Sequence, residues 1–404
     1  MNVPLSQPDI SEREIEYVVQ TLRSGRLSLG PRVTEFEEKF AQYLGRRHAV
    51  AVSSGTAALH LCVRALGIGP GDAVLTSSFS FVASANCLLY EGALPVFLDI
   101  DPLTLNLDPA EIAAYLRQDC TRQAGGQLVD RSTGRTVKGV LPVHVFGLPC
   151  DMNPIRELAS EYGLCVIEDA CEALGAEYCG HRVGTFGNAA AFAFYPNKQV
   201  TTAEGGMIVT DDEQVANLCR SMRNQGRDSG ADWPVHARLG FNYRLSDLHC
   251  ALGLAQLERI EELLRCRERV AALYDSHLAG HLCLALPQTP ADCTRSWFVY
   301  VVQITAPSAS TAAQFRARIL SALRERGIGC QIYFPAIHQQ PYYQHLKLTA
   351  VRPLPRTEFA SARSLALPLF ASATTEEIRY VCDNLLEIVQ SEAANTRTQD
   401  MVPR

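Results

Sequence analysis

Long apolar runs are missing from this chain: none approaches the roughly 18 residues that a membrane-spanning helix needs. Met1 to Leu29 also lacks the basic-then-apolar order of a secretory signal, so no membrane association is expected. Positive charge is scarce. The 37 Lys and Arg are outnumbered by 43 Asp and Glu, the net charge is −6 and no basic run occurs, which argues against a nucleic-acid partner. The 14 cysteines include no Cys-x-x-Cys pair, and Cys62, Cys87 and Cys165 fall within apolar helix or strand patterns. Reduced, buried thiols and a cytoplasmic location are therefore expected, rather than disulfides or a metal site. There is no Walker A sequence. The cluster Gly67-Ile68-Gly69-Pro70-Gly71 lacks the third spaced glycine of a dinucleotide fingerprint and ends in a Pro-Gly turn.

What is present is ample material for a core. At 404 residues and 47% hydrophobic content the chain is long enough for two domains. Strand and helix patterns alternate from His48 to Thr210, which predicts an α/β unit with a mostly parallel sheet covered on both faces. Ser11 and Glu14 form a capping box that opens an amphipathic helix over 11–24. A helical stretch from Leu245 to about Leu278 reads as a bridge into a second domain with a strand over 296–305 and helices over 311–326 and 375–389. The division predicted is 1–250 for the large domain and 251–390 for the small one, with 391–404 a polar, disordered tail. The polar segment 121–138 reads as an extended surface loop or hairpin without catalytic meaning.

Three places in this framework carry chemistry. AFAFYPNKQVTTAEGGMIVT (Ala191 to Thr210) takes Lys198 off an apolar strand into a turn built on Glu204-Gly205-Gly206. A lysine in water is almost wholly protonated, whereas one packed against apolar walls can act as a nucleophile; the alternative is a surface lysine snorkelling to solvent. LCVIEDACEALGA delivers Glu168 and Asp169 at the carboxyl end of a buried strand, the edge at which parallel sheets bind ligands. There Asp169 is suited to hold the protonated ring nitrogen of a pyridine cofactor, or else to cap a helix. HAVAVSSGTAALHLCVRAL turns from strand to helix at Ser53-Ser54-Gly55, exposing helix amides and the Thr56 hydroxyl to a phosphate. Phe79 and Phe81 follow the next strand, where either would stack on a planar ring or pack in the core.

The order of phosphate turn, aromatic, acid and lysine resembles that of the fold type I pyridoxal phosphate enzymes. SGTAAL (54–59), PVFLDID (95–101), PVHVFG (142–147), EDACEALGA (168–176), VGTFG (183–187), FYPNKQVTTAEGG (194–206) and GFNYRLSDL (240–248) are similar to the motifs of the DegT/DnrJ/EryC1/StrS sugar aminotransferases, over roughly residues 3 to 390. The resemblance implies a large domain with a mostly parallel seven-stranded sheet sandwiched by helices, plus a smaller α+β C-terminal domain. It makes Lys198 the Schiff-base lysine and Asp169 the partner of the pyridine nitrogen. It also implies a phosphate cup of Thr56 and the amides of Gly55 and Ala57, Phe81 on the ring, and Asn242 reaching the cofactor phosphate of a neighbouring subunit in a homodimer.

Three positions depart from the usual pattern. Ala193 replaces a phosphate-binding Ser, Ala203 replaces the Gly of TTGEGG, and Glu172 stands beside the ring hydroxyl where many relatives have His or Gln, as in perosamine synthase-type members. The implied reaction moves an amino group from L-glutamate to a nucleotide-linked keto sugar. KQVTTAEGG is more like the motif of enzymes that aminate C4 than of those that aminate C3, which implies a 4-keto-6-deoxyhexose. In YFPAIHQQPYY (333–343), similar to the family's sugar-nucleotide loop, His338 is a substrate contact or part of an aromatic packing turn. Trp297 and Phe298 read as core. A same-fold sugar dehydratase would carry His in place of Lys198, and a non-catalytic regulator would not need Lys198 with Asp169.

Overall fold

The computed structural model describes residues 1–228, 230, 235–305, 309–346 and 352–400. The first eleven strands are β1 (His48–Val52), β2 (Asp72–Ser77), β3 (Leu94–Leu98), β4 (Cys120–Arg122), β5 (Leu128–Asp130), β6 (Thr136–Leu141), β7 (Cys165–Asp169), β8 (Glu177–Tyr178), β9 (His181–Arg182), β10 (Ala189–Ala193) and β11 (Gly206–Thr210). Seven of them form the central sheet in the order β1-β11-β10-β7-β6-β2-β3, and only β11 runs antiparallel to its neighbours. The segment expected as a loop or hairpin is a hairpin: β4 and β5 pair and extend the sheet from β6 to nine strands.

Helices cover both faces, so the strands read as apolar runs rather than alternating ones. Along β10, Ala189 and Ala191 enter one core while Ala190 and Phe192 enter the other. Two helices precede the sheet, α1 (Glu12–Ser24) and α2 (Pro31–Leu44), and the predicted capping box at Ser11 and Glu14 is present. Between the strands lie α3 (Gly55–Ala65), α4 (Ala83–Tyr90), α5 (Pro109–Gln118) and α6 (Met152–Tyr162); α7 (Glu213–Arg223) follows β11. No helix among the described residues is long and apolar enough to cross a membrane.

The expected bridge helix is two helices, α8 (Asp247–Glu258) and α9 (Ile260–Leu278), broken at Arg259 with φ −116° and ψ 19°. The Arg259 side chain is drawn to Asp9 and to Glu14 at 3.8 Å, and its amide bonds back only three residues, to Gln256. Leu254, Leu257 and Ile260 lie in the core of the large unit, and Val270, Tyr274 and Leu278 in that of the small one, so the crossing lies within α9 rather than at residue 250.

The small unit has an antiparallel sheet of β12 (Leu284–Ala285), β14 (Tyr300–Ile304) and β15 (Ser364–Leu367), while β13 (Cys293–Thr294) pairs with β8. Its helices are α10 (Ala309–Glu325), α11 (Pro341–His345), α12 (Pro355–Arg363) and α13 (Thr375–Asp400). Val3 joins this core and pairs with Ile328, so the first residues leave the predicted 1–250 unit. In the segment predicted as a tail, α13 continues to Asp400 through a stretch without Gly or Pro to stop it, and 401–404 lie outside the described residues.

Candidate active site

The site forms where three chain segments meet at the carboxyl ends of the parallel strands. After β1, Ser54 caps α3 and its Oγ accepts the Ala57 amide at 3.1 Å. A Cβ on Gly55 would stand 2.7 Å from Ala193 Cβ, and one on Gly206 would stand 2.4 Å from the Ser54 carbonyl oxygen. Glycine at these two positions therefore lets the turn after β1, the end of β10 and the start of β11 close on one another. The loop carrying Lys198 is shut by Phe194 N–H to Gly205 O and Thr202 N–H to Phe194 O, both 2.9 Å. Within it Ala203 has φ 66°, the left-handed region that costs an L-residue roughly 1–2 kcal/mol, at the position where the resembling motif has Gly.

A cavity of about 440 Å³ opens above these turns. Gly55, Thr56, Phe81, Asp169, Glu172 and Lys198 all line it, together with Ala193. Asp169 Oδ2 accepts from Ser84 Oγ at 2.7 Å and Oδ1 from the Cys171 amide at 3.1 Å; no helix follows, so the capping alternative fails. Glu172 Oε2 accepts the Phe146 amide at 3.0 Å, and Oε1 stands 3.8 Å from Lys198 Nζ. Burial pushes the Glu172 carboxyl up to about 7 against the opposing pull of Lys198. Burial separates the two phenylalanines. Phe79 is in the core against Phe146 and Phe334, whereas Phe81 is 60% exposed on the cavity wall.

Three sequence-based assignments need correction or stand apart. Ala57 is buried and its amide is spent on Ser54, so the wall is made by Gly55 and Thr56 at the first turn of α3. His338 does not line the cavity. Its Nδ1 meets Ser78 Oγ at 2.7 Å and its Nε2 meets Glu358 Oε1 at 3.3 Å, so both ring nitrogens are occupied in tying the 333–343 segment to the end of β2. Asn242 is exposed outside the cavity, between Phe241 and Tyr243, whose rings stack at 4.9 Å.

Residues that the sequence did not assign to a site complete the wall. The Phe298 ring centroid lies 3.8 Å from Lys198 Nζ, while its neighbour Trp297 faces the small core and stacks on Tyr300. Tyr195, Asn197 and Tyr333 also line the cavity, and burial pushes the Tyr333 hydroxyl up to about 12. Tyr333 opens the motif from which only His338 was chosen. Phe298 had a weaker signal, since alternation along an apolar run does not say which core each face meets.

The donor set fits pyridoxal phosphate. Helix-terminal amides and the Thr56 hydroxyl lie at one end, an exposed aromatic on the wall, a carboxylate at a strand end and a lysine in reach of an acid. Comparison with known proteins agrees. The DegT/DnrJ/EryC1/StrS aminotransferase family matches residues 8–386. The chain is 37% identical over 398 residues to the spore coat polysaccharide biosynthesis protein SpsC of Bacillus subtilis, covering 96% of this chain and 97% of SpsC. It is 38% identical over 392 residues to the GDP-perosamine synthase of Caulobacter vibrioides, covering 96% and 98% respectively. The crystal structure of S. venezuelae DesV superposes with a TM-score of 0.84 at 32% identity, over 96% of this chain and 98% of DesV. The chain belongs to the DegT/DnrJ/EryC1/StrS aminotransferase family and is a pyridoxal-phosphate-dependent transaminase.

Proposed function

We propose that the chain moves the amino group of L-glutamate to a nucleotide-linked 4-keto-6-deoxyhexose. The observation that carries this reading is the convergence of Gly55, Thr56, Phe81, Asp169, Glu172 and Lys198 on one cavity. The sugar class is supported by the likeness of KQVTTAEGG to C4-aminating enzymes and by the 38% identity to a GDP-perosamine synthase.

Pyridoxal phosphate, when bound, supplies the electron sink for the carbanion at the donor's α carbon. Thr56 and the amides of Gly55 and Thr56 hold its phosphate at the positive end of α3, with the Ser54 hydroxyl on the same wall where Ala193 offers none. Phe81 covers the ring face. Asp169, fixed by Ser84 and the Cys171 amide, keeps the ring nitrogen protonated. The Lys198 amine would take the proton from the donor's α carbon and, in the second half-reaction, would deliver one to the sugar carbon that receives the nitrogen. Glu172, titrating near neutrality 3.8 Å away, holds a proton beside that amine. Phe298 and Phe334 exclude water from the exchange. Asn242, turned outward between two stacked aromatics, reaches the cofactor phosphate of a second copy in a homodimer with shared sites.

The test is a panel of GDP-, UDP- and dTDP-linked 4-keto and 3-keto sugars with L-glutamate, read by mass spectrometry of the sugar nucleotide and assay of 2-oxoglutarate. One 4-keto-6-deoxy sugar aminated in step with 2-oxoglutarate release is expected. Amination confined to 3-keto sugars, or no dependence on glutamate, contradicts the assignment.

A further inference from the structure

Arg267, on α9, is only 3% exposed, and burial pushes its guanidinium down to about 10. Its partners at hydrogen-bond distance are carbonyls rather than carboxylates. Nη2 donates to the Lys198 carbonyl at 2.9 Å and the Asn197 carbonyl at 3.4 Å, and Nη1 to the Trp297 and Phe298 carbonyls at 3.3 Å each. Asp9 attracts the guanidinium only from beyond bonding distance, and a charge held inside a protein on carbonyls alone is costly, so a methionine would fill the same space more cheaply.

The four acceptors explain why an arginine stands there. They lie on two irregular stretches, the Lys198 turn and the lead into β14, which leave carbonyls for a side chain to satisfy. Those stretches also carry the two halves of one contact, the Lys198 amine and the Phe298 ring at 3.8 Å. A planar fork of donors fixes the separation of the groups it bridges, which a flexible ammonium does not.

We infer that Arg267 is a positioning residue that sets where the Lys198 amine stands, by holding the backbone of the lysine and of the aromatic beneath it as one unit. The inference rests on the reading of Lys198 given above. It also links the amine to the second core, because the same helix carries Val270 and Tyr274 into that core.

Arg316 on α10 provides a matched control. It is 8% exposed, donates to the Ser361 and Ser364 carbonyls, and has a partnerless Nε just as Arg267 does, but neither it nor its acceptors line the cavity. The experiment compares Arg267→Met, Arg267→Lys and Arg316→Met in cofactor-free protein. Acetic anhydride labelling of Lys198 relative to exposed Lys39 is read by peptide mass spectrometry, alongside the melting temperature. Both Met variants should melt lower. Both Arg267 variants should label Lys198 faster, by about tenfold, with kcat of the loaded enzyme down by up to about 100-fold, as expected for a reacting group displaced by about 1 Å. Arg316→Met should leave the labelling ratio unchanged. An unchanged ratio in the Arg267 variants, or wild-type labelling restored by Lys, overturns the inference. Labelling needs no cofactor, so failure of Lys198 to carry the cofactor would appear in wild type and leave this test standing.

Discussion

Glu168 and Glu172 stand four residues apart in one EDACE segment, and their surroundings push the two carboxyls in opposite directions. Glu168 is fully buried on the side of β7 away from the cavity, where it accepts from His144 Nε2 at 3.1 Å and from the amides of Gly184, Phe186 and Gly187 at 2.7 to 2.8 Å. Cys150 donates to His144 Nδ1, which leaves the proton on Nε2 for Glu168. Burial favours the neutral acid, but the bonds from His144 and the amides outweigh it and hold the carboxyl below the usual range. Glu172 is nearly as buried but has one amide donor and a lysine at 3.8 Å, so burial wins. Donors rather than depth decide whether a buried acid anchors the fold or keeps a proton to exchange. The first arrangement explains the VGTFG motif, whose amides exist to be accepted by Glu168.

The largest effect that would break this contrast is on the anchoring side. Glu168→Gln turns an NH₂ toward buried N–H donors and should cost about 3–5 kcal/mol of stability in chemical denaturation, since more than one donor loses its acceptor at about 1–3 kcal/mol each. On the cavity side, Asp169→Asn should leave stability nearly unchanged and lower kcat about 10²–10³-fold. A loss of fold in that variant would erase the distinction between the two faces.

The pH dependences sharpen it further. The folded state raises the Glu172 carboxyl, so its contribution is complete below the unfolded value and is lost as pH climbs from about 4.5 to about 7. Glu172→Gln should remove a pH-linked loss of about 2–3 kcal/mol across that window, and flatten the alkaline limb of the kcat profile, where the proton beside the amine is lost. Glu168 is lowered by folding, so its contribution is present above the ordinary carboxylate range and disappears only as pH falls below it. The difference between each Gln variant and wild type should therefore change with pH on opposite sides of about 4.5, above it for Glu172 and below it for Glu168. The smallest effect belongs to the lysine loop: Ala203→Gly relieves a φ of 66° and should raise stability by about 0.5–1 kcal/mol after the entropy of glycine is counted. A destabilised Gly variant would mean that the loop is not strained.

These contrasts mark what the sequence could say. The buried parallel strands were readable because apolar runs bounded by turns have few alternatives, and Lys198, Asp169 and Thr56 because turn chemistry places them at strand ends. The break at Arg259 was not, since Arg is a good helix former and the pull comes from Asp9 and Glu14, far away in sequence. The Ala57 amide was legible in principle, because a Ser at the cap takes that amide by rule. His338 stays open between substrate contact and packing turn until Ser78 and Glu358, on other elements, occupy its ring. Phe298 is core, as its apolar run implies, and nothing local tells that its ring also faces a cavity.

The most direct measurement is the visible absorption spectrum of the purified protein with added pyridoxal phosphate, before and after excess L-glutamate, in wild type and Lys198→Ala. The account predicts a lysine-dependent visible band that glutamate discharges in wild type and that the Ala variant never shows. A band of equal strength in Lys198→Ala, or none in wild type, would contradict the assignment of Lys198 as the reagent of this cavity.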